Sequence, residues 1–148
     1  MTDATKQYPP GTAYHEAAHA VVAWSYGLRV GDISISDDDA SGKTQIDDPG
    51  HLPLADQVAI RAAGIAAEKV FGHPVHDQIG FADRAEILRL FAAHNISEEI
   101  GDGKALRDLG YQNAKARLEE HRDKVIALAE RLIEDGQINE AEVQQLMA

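Results

Sequence analysis

The chain contains no cysteine. That excludes a disulfide framework, a thiolate metal site and a thiol nucleophile. Any transition metal held here has to be bound by His, Asp or Glu. Positive charge is also short: 14 Lys and Arg stand against 25 Asp and Glu, a formal net charge of -11. A nucleic-acid binder needs a basic surface to neutralise phosphates, and an anionic bilayer attracts basic segments, so the composition points away from both partners. No run approaches eighteen apolar residues, so no membrane-spanning helix is expected. The polar stretch Met1 to Pro10 lacks the apolar region of a signal peptide. The expectation is a cytoplasmic protein.

Hydrophobic residues make up 44% of 148 positions, which supports one core of ordinary domain size. Residues 1–11 read as a flexible lead ending in the helix-excluding Pro9-Pro10-Gly11, and residues 12–148 as a single domain. Thr12 is placed to cap a helix over Ala13 to Tyr26 that Gly27 closes. Val30 to Ser36 alternates apolar and polar residues like a half-buried strand, and Lys43 to Ile46 is its expected hairpin partner after an acidic turn. Leu54 to Phe71 is a second helix with Val58, Ala62, Ile65 and Ala66 on one side, stopped by Gly72. A loop from Gly72 to Gly80 precedes a third helix, Ala82 to His94, with Ala85, Leu88 and Ala92 at helical spacing. A joint at Gly101 to Gly103 opens a long helix, Lys104 to Glu134, whose apolar face runs through Ala114, Leu118, Val125, Leu128 and Leu132. Gly110 is a position for a bend or break. Asn139 caps a last short helix, with Glu142 spaced for a capping box. The fold class expected is mainly α with a small β-hairpin or sheet and a long C-terminal helix.

One segment carries chemistry. In Tyr14-His15-Glu16-Ala17-Ala18-His19 the two histidines are four residues apart, so both imidazoles lie on one helical face and can converge on one metal. Glu16 lies about 100° around the helix from His15, beside the metal and within reach of a water there. Metal binding lowers that water's pKa from about 15.7 to about 7. Glu16 is then the expected general base, taking the water's proton and returning it to the leaving amine. Such a pattern arises by accident in only about one chain of this length in a few hundred. Its surroundings also differ from a solvated face, because Glu16 is the sole Asp, Glu, Lys or Arg from Ala13 to Leu28.

A catalytic zinc usually has three protein ligands and one open position. Glu68, His73, His76, Asp77 and Asp83 are the candidates for the third ligand, and spacing alone does not choose among them. Asp83 also stands where an acidic residue complements a helix dipole.

Tyr14 to Ala20 resembles the zinc-binding helix in the peptidase domain of FtsH-type AAA proteases. Val30 to Ile46 is similar to that family's strand and edge segment, Ala63 to Gly72 to its Gly-Gly-Arg-Ala-Ala-Glu-Glu helix, Ile79 to Ala85 to its Thr-Gly-Ala-x-x-Asp-Leu segment, and Tyr111 to Glu134 to its C-terminal helix. The resemblance covers about residues 12 to 147. It implies a helical, zincin-like peptidase domain whose third zinc ligand is an Asp, which maps onto Asp83. It also maps Glu68 onto a glutamate expected to orient a ligand. Four positions depart from the family: Ala18 for its usual Gly, Ile65 for its Arg, Lys69 for its second Glu and Ala82 for its Asn. No ATPase module accompanies the domain, so substrate unfolding would fall to a separate unfoldase or partner protein.

Two further patterns carry little. Gly42-Lys43-Thr44 resembles part of a phosphate-binding loop, but the earlier Gly is Asp37 and the triplet joins strand to strand, so no nucleotide site is expected. Asp37, Asp39, Ser41, Gly42 and Asp48 fall at calcium-loop positions, but between strands, where an acidic turn is the simpler reading.

The function expected is zinc-dependent hydrolysis of peptide bonds, with His15, His19 and Asp83 as ligands, Glu16 as base, and an unfolded polypeptide or peptide added as a strand along Lys43, Thr44 and Gln45. Two alternatives stand beside it: a non-cutting binding or regulatory module of the same fold, and a zinc hydrolase of a non-peptide amide.

Overall fold

The structure, a computed structural model, describes residues 7–37, 41–75, 77–97 and 102–148. His76, Asp39, Gly101 and the first six residues of the expected lead lie outside the described residues. Six helices and three short strands are seen among the rest, in the order α1 (Pro10–Ser25), β1 (Val30–Ile35), β2 (Gly42–Ile46), α2 (Leu54–Phe71), α3 (Asp77–Ala93), α4 (Asp102–Glu120), α5 (Arg122–Asp135), β3 (Gln137–Ile138) and α6 (Glu140–Met147). The chain is thus mainly helical with a small antiparallel sheet, as its patterning implies. No helix among the described residues is long and apolar enough to cross a membrane.

The central element is α1, which packs against α2, α5 and the sheet. Its Ala and Val residues from Ala17 to Ala23, with His19 between them, are buried, and the small side chains let neighbouring elements approach closely. The helix begins earlier than expected. Pro9 is the N-cap and Pro10 the first helical residue, while Thr12 is buried within the first turn. Proline suits that first position because the N–H it lacks would have no intrahelical partner. Gly11 is needed next to it, since a Cβ there would stand 2.0 Å from the Pro74 carbonyl oxygen.

β1 lies between β2 and β3, so β2 forms an edge of the sheet. Val30 pairs with Ile46 and Ile33 with Thr44, which leaves one extra residue on β1, a bulge. The Asp32 N–H donates to Gln45 Oε1 at 3.2 Å within this irregular stretch. The third strand, β3, has only two residues and no alternating pattern to announce it. Its pairing of Ile138 with Ile33 ties the start of α6 to the sheet.

Three expectations about the helices are corrected. The third helix starts at Asp77, so residues 77–80 are helical instead of part of the loop. Its buried residues are Ile87 and Phe91, whereas Leu88 is 44% exposed and Ala92 is exposed. Ile87 and Phe91 are one and two turns beyond Asp83, and burying them turns the Asp83 carboxylate toward α1 and α2. The long C-terminal helix is two helices. The interruption falls at His121, not at Gly110. α4 packs mainly on α2 and α5 on α1, and the chain redirects between them where the His121 ring meets Trp24 edge-on at 5.2 Å. Gly110 serves close packing instead: a Cβ there would stand 2.4 Å from Val58 Cγ1. The expected apolar face, Ala114, Leu118, Val125, Leu128 and Leu132, is fully buried.

At the last helix, Asn139 Oδ1 accepts from the Glu142 N–H at 3.0 Å. The Glu142 carboxylate does not complete a capping box. It is taken by Arg131, whose Nε donates to it at 2.7 Å, and Asp32 Oδ1 accepts from the Glu140 N–H at 2.8 Å.

Candidate metal centre

His15, Glu16 and His19 are all buried on α1, at 1%, 7% and 9% exposure. Burying three ionisable groups among alanines and valines is costly unless each finds a partner. His19 finds one across the helix pair: its Nδ1–H donates to the Ile60 carbonyl of α2 at 2.8 Å. That bond orients the ring and leaves Nε2 as the outward-facing nitrogen.

The two Nε2 atoms and one oxygen of Asp83 form a small triangle. His15 Nε2 is 2.8 Å from Asp83 Oδ2, His19 Nε2 is 3.0 Å from the same oxygen, and the two nitrogens are 3.2 Å apart. Ligand atoms about 2.0–2.1 Å from a tetrahedral zinc lie roughly 3.3 Å from one another. Expansion of the triangle by a few tenths of an ångström therefore accommodates the ion. Two imidazole nitrogens and one carboxylate oxygen are also a donor set that zinc accepts. Among the described residues, His15, His19 and Asp83 are the group of three that could hold a metal ion.

Of the other candidates, Glu68, His73 and Asp77 are not brought to this cluster, and His76 lies outside the described residues. Glu68 is exposed on α2 and lines a different cleft with Ile65, Phe81 and Arg84. His73 stacks on Tyr14 with ring centroids 4.5 Å apart. Asp77 is exposed in the first turn of α3.

The electrostatics follow the geometry. Burial on its own pushes the His19 imidazolium down, but the Asp83 carboxylate, by charge and hydrogen bond, outweighs it and raises the pKa to about 9. Burial pushes Asp83 up, and the His19 charge with hydrogen bonds from both histidines overcomes this and holds the carboxyl well below the usual carboxylate range. His15 Nδ1 is buried with no hydrogen-bond partner. An orphaned buried nitrogen costs about 1–3 kcal/mol, a cost tolerated here on the ring whose other nitrogen faces the cluster.

Two glycines shape the pocket, and the periodic pattern assigned neither a role. Gly64 of α2 underlies the His15 imidazole: a Cβ there would be 2.2 Å from Cε1 and 2.4 Å from either nitrogen. Gly42, at the start of β2, packs on Glu16, where a Cβ would be 2.7 Å from Cγ. A signal for Gly64 was present, since a lone Gly inside an Ala-rich helix costs about 1 kcal/mol relative to Ala and implies a packing reason.

The Glu16 carboxylate borders the same cleft as His19 and Asp83, a space of about 320 Å³. The Thr44 hydroxyl lies 3.1 Å from the Glu16 carbonyl oxygen and 3.2 Å from Glu16 Oε2, and donates to one at a time. Lys43 and Thr44 of the edge strand line the cleft as well. The Gln45 side chain is instead turned back onto the β1 bulge. Gly42-Lys43-Thr44 thus lies on a strand beside the cluster and not in a strand-to-helix loop.

No protein-family model matches the chain, and no curated protein matches it in sequence.

Proposed function

We propose that this protein is a zinc-dependent peptidase that cleaves peptide bonds with Glu16 as general base. The observation that carries the proposal is the triangle of His15 Nε2, His19 Nε2 and Asp83 Oδ2 with the Glu16 carboxylate bordering the same cleft. His15, His19 and Asp83 would hold the ion. A bound zinc supplies Lewis acidity, polarising a carbonyl and lowering the pKa of a water toward about 7. Glu16 removes a proton from the attacking water and returns it to the leaving nitrogen. Thr44 orients Glu16 for both transfers through its hydroxyl, and Gly42 leaves the space in which that carboxylate moves.

The edge position of β2 supports an extended substrate that adds as a further strand, with main-chain bonds giving affinity and the cleft reading side chains. The resemblance of residues 12 to 147 to the FtsH-type peptidase domain belongs to the same proposal. A cytoplasmic setting is also part of it and rests on the cysteine-free composition.

The test is hydrolysis of casein by the purified protein loaded with zinc, with and without chelator, alongside elemental analysis. Chelator-sensitive cleavage with one zinc per chain is the expected result. One zinc per chain without cleavage of casein or of a peptide library would replace this reading with a non-cutting module.

A further inference from the structure

Arg61 stands on α2 immediately after Ile60, whose carbonyl holds His19, and one turn before Gly64, which underlies His15. It lines the same cleft as Glu16, His19 and Asp83. Its Nε is buried without a hydrogen-bond partner, and the residue forms no ion pair among the described residues. In a chain with a net charge of -11, an arginine without a carboxylate is unexpected.

Among the described residues, the acids lining the cleft already have other partners. Asp83 binds both histidines. Glu86 pairs with Arg89 at 3.1 Å, Asp47 lies 3.9 Å from Arg29, and Glu16 is bonded by Thr44. The guanidinium, with its Nε buried, is therefore a set of donors held beside the cluster with no acceptor among the described residues.

We infer that Arg61 receives a carboxylate of the bound peptide, so that the cleft selects substrates carrying a negative charge next to the scissile bond. This rests on the peptidase reading above and adds the substrate class to it. The planar guanidinium fork matches a carboxylate in a two-bond pair, and such charged hydrogen bonds strengthen where water is excluded. A singly charged carboxylate suits the site better than a phosphate dianion, which the surrounding acidic side chains would repel. Lys43, the other basic residue lining the cleft, is exposed on the edge strand, where solvent and salt weaken its pull. The carboxylate has two possible sources, the C-terminus of the peptide or an Asp or Glu side chain.

Calorimetric binding to the zinc-loaded Glu16→Gln protein separates these sources without turnover. One hexapeptide sequence is compared as free acid and as C-terminal amide, and with an internal Glu or Gln. The expected result is about tenfold tighter binding of at least one carboxylate form than of its neutral counterpart. Arg61→Gln should abolish that preference and Arg61→Lys should keep part of it, both with unchanged zinc stoichiometry. A preference that survives Arg61→Gln, equal binding of acid and neutral peptides, or no binding of any of them overturns the inference. Failure of the peptidase reading looks different: carboxylate selection through Arg61 would be present while the zinc-loaded protein with Glu16 intact cleaves nothing.

Discussion

Gly64 lies against the face of the His15 imidazole, so close that a methyl group in its place would stand 2.2 Å from Cε1. Nothing larger than hydrogen fits between α2 and this ring. His19, one turn along α1, is held by the Ile60 carbonyl of the same helix. One face of α2 thus sets both histidines of the cluster, one by shape and the other by a hydrogen bond. α3 completes the cluster by burying Ile87 and Phe91 so that Asp83 faces inward.

Gly64→Ala should cost metal binding, because His15 must leave its place or α2 must move away. Gly110→Ala is the control. It also collides with a neighbour, Val58 at 2.4 Å, and should destabilise by about 1–3 kcal/mol as overpacking does. Its zinc affinity should be unchanged, because Gly110 lies outside the cluster. Zinc titration and thermal melting of the two variants check this. Equal zinc affinity in both would remove the role assigned to Gly64.

Glu16→Gln should retain zinc at one ion per chain and lose about 10²–10⁴-fold in peptide hydrolysis, the range expected for a general base. The amide occupies nearly the same space and cannot take the proton. Activity within tenfold of the parent protein would mean that another group is the base.

Asp83→Ala should weaken zinc by more than about 100-fold, since even groups that only orient a ligand contribute 10–100-fold. It should also speed hydrogen exchange across α3, whose first turns lose their tie to α1. Zinc stoichiometry equal to that of the parent at micromolar metal would show that Asp83 is not a ligand.

In protein stripped by chelator, stability should depend on pH through the same cluster. The His19 pKa is raised from 6.5 to about 9. Its contribution is complete below about 6.5 and is lost as the pH climbs through about 9. The Asp83 pKa is lowered from 3.8, so its contribution is present above about 4 and fades as the pH falls further. The melting temperature should therefore be highest between about pH 4 and 6.5. Zinc competes with the His19 proton, so its affinity should rise as the pH approaches 9. Melting curves and a chelator competition across this range test both statements. A zinc affinity that does not rise with pH would contradict the proton assigned to His19.

Much of the architecture is legible in the periodic segments. Val58 and Ala66 in α2, and Leu118 and Leu132 in the C-terminal pair, repeat at helical spacing and are buried where that spacing places them. The segments that misled are those in which a short signal competes with packing. Pro9-Pro10-Gly11 reads as a helix breaker, yet proline at a first helical position and a glycine under Pro74 allow α1 to begin there. Leu88 and Ala92 have helical spacing too, but α3 turns Ile87 and Phe91 inward instead, because α2 is its main packing partner. His121 carries no breaking signal, and its turn reflects the different helices on which α4 and α5 pack.

The sequence by itself determined the pairing of His15 with His19 and the place of Glu16 beside them, because residues four apart on an α-helix share a face whatever surrounds it. It also determined that any metal here must be held without thiolates. Spacing left the third member of that cluster open and the family resemblance implied Asp83, but only the tertiary structure brings Asp83 to the pair, lets Gly64 make room for His15, and has Thr44 reach Glu16 from an edge strand. Those relations join residues 28 to 68 positions apart. They are set by how side-chain volumes fit between helices and strands, which no local periodicity encodes.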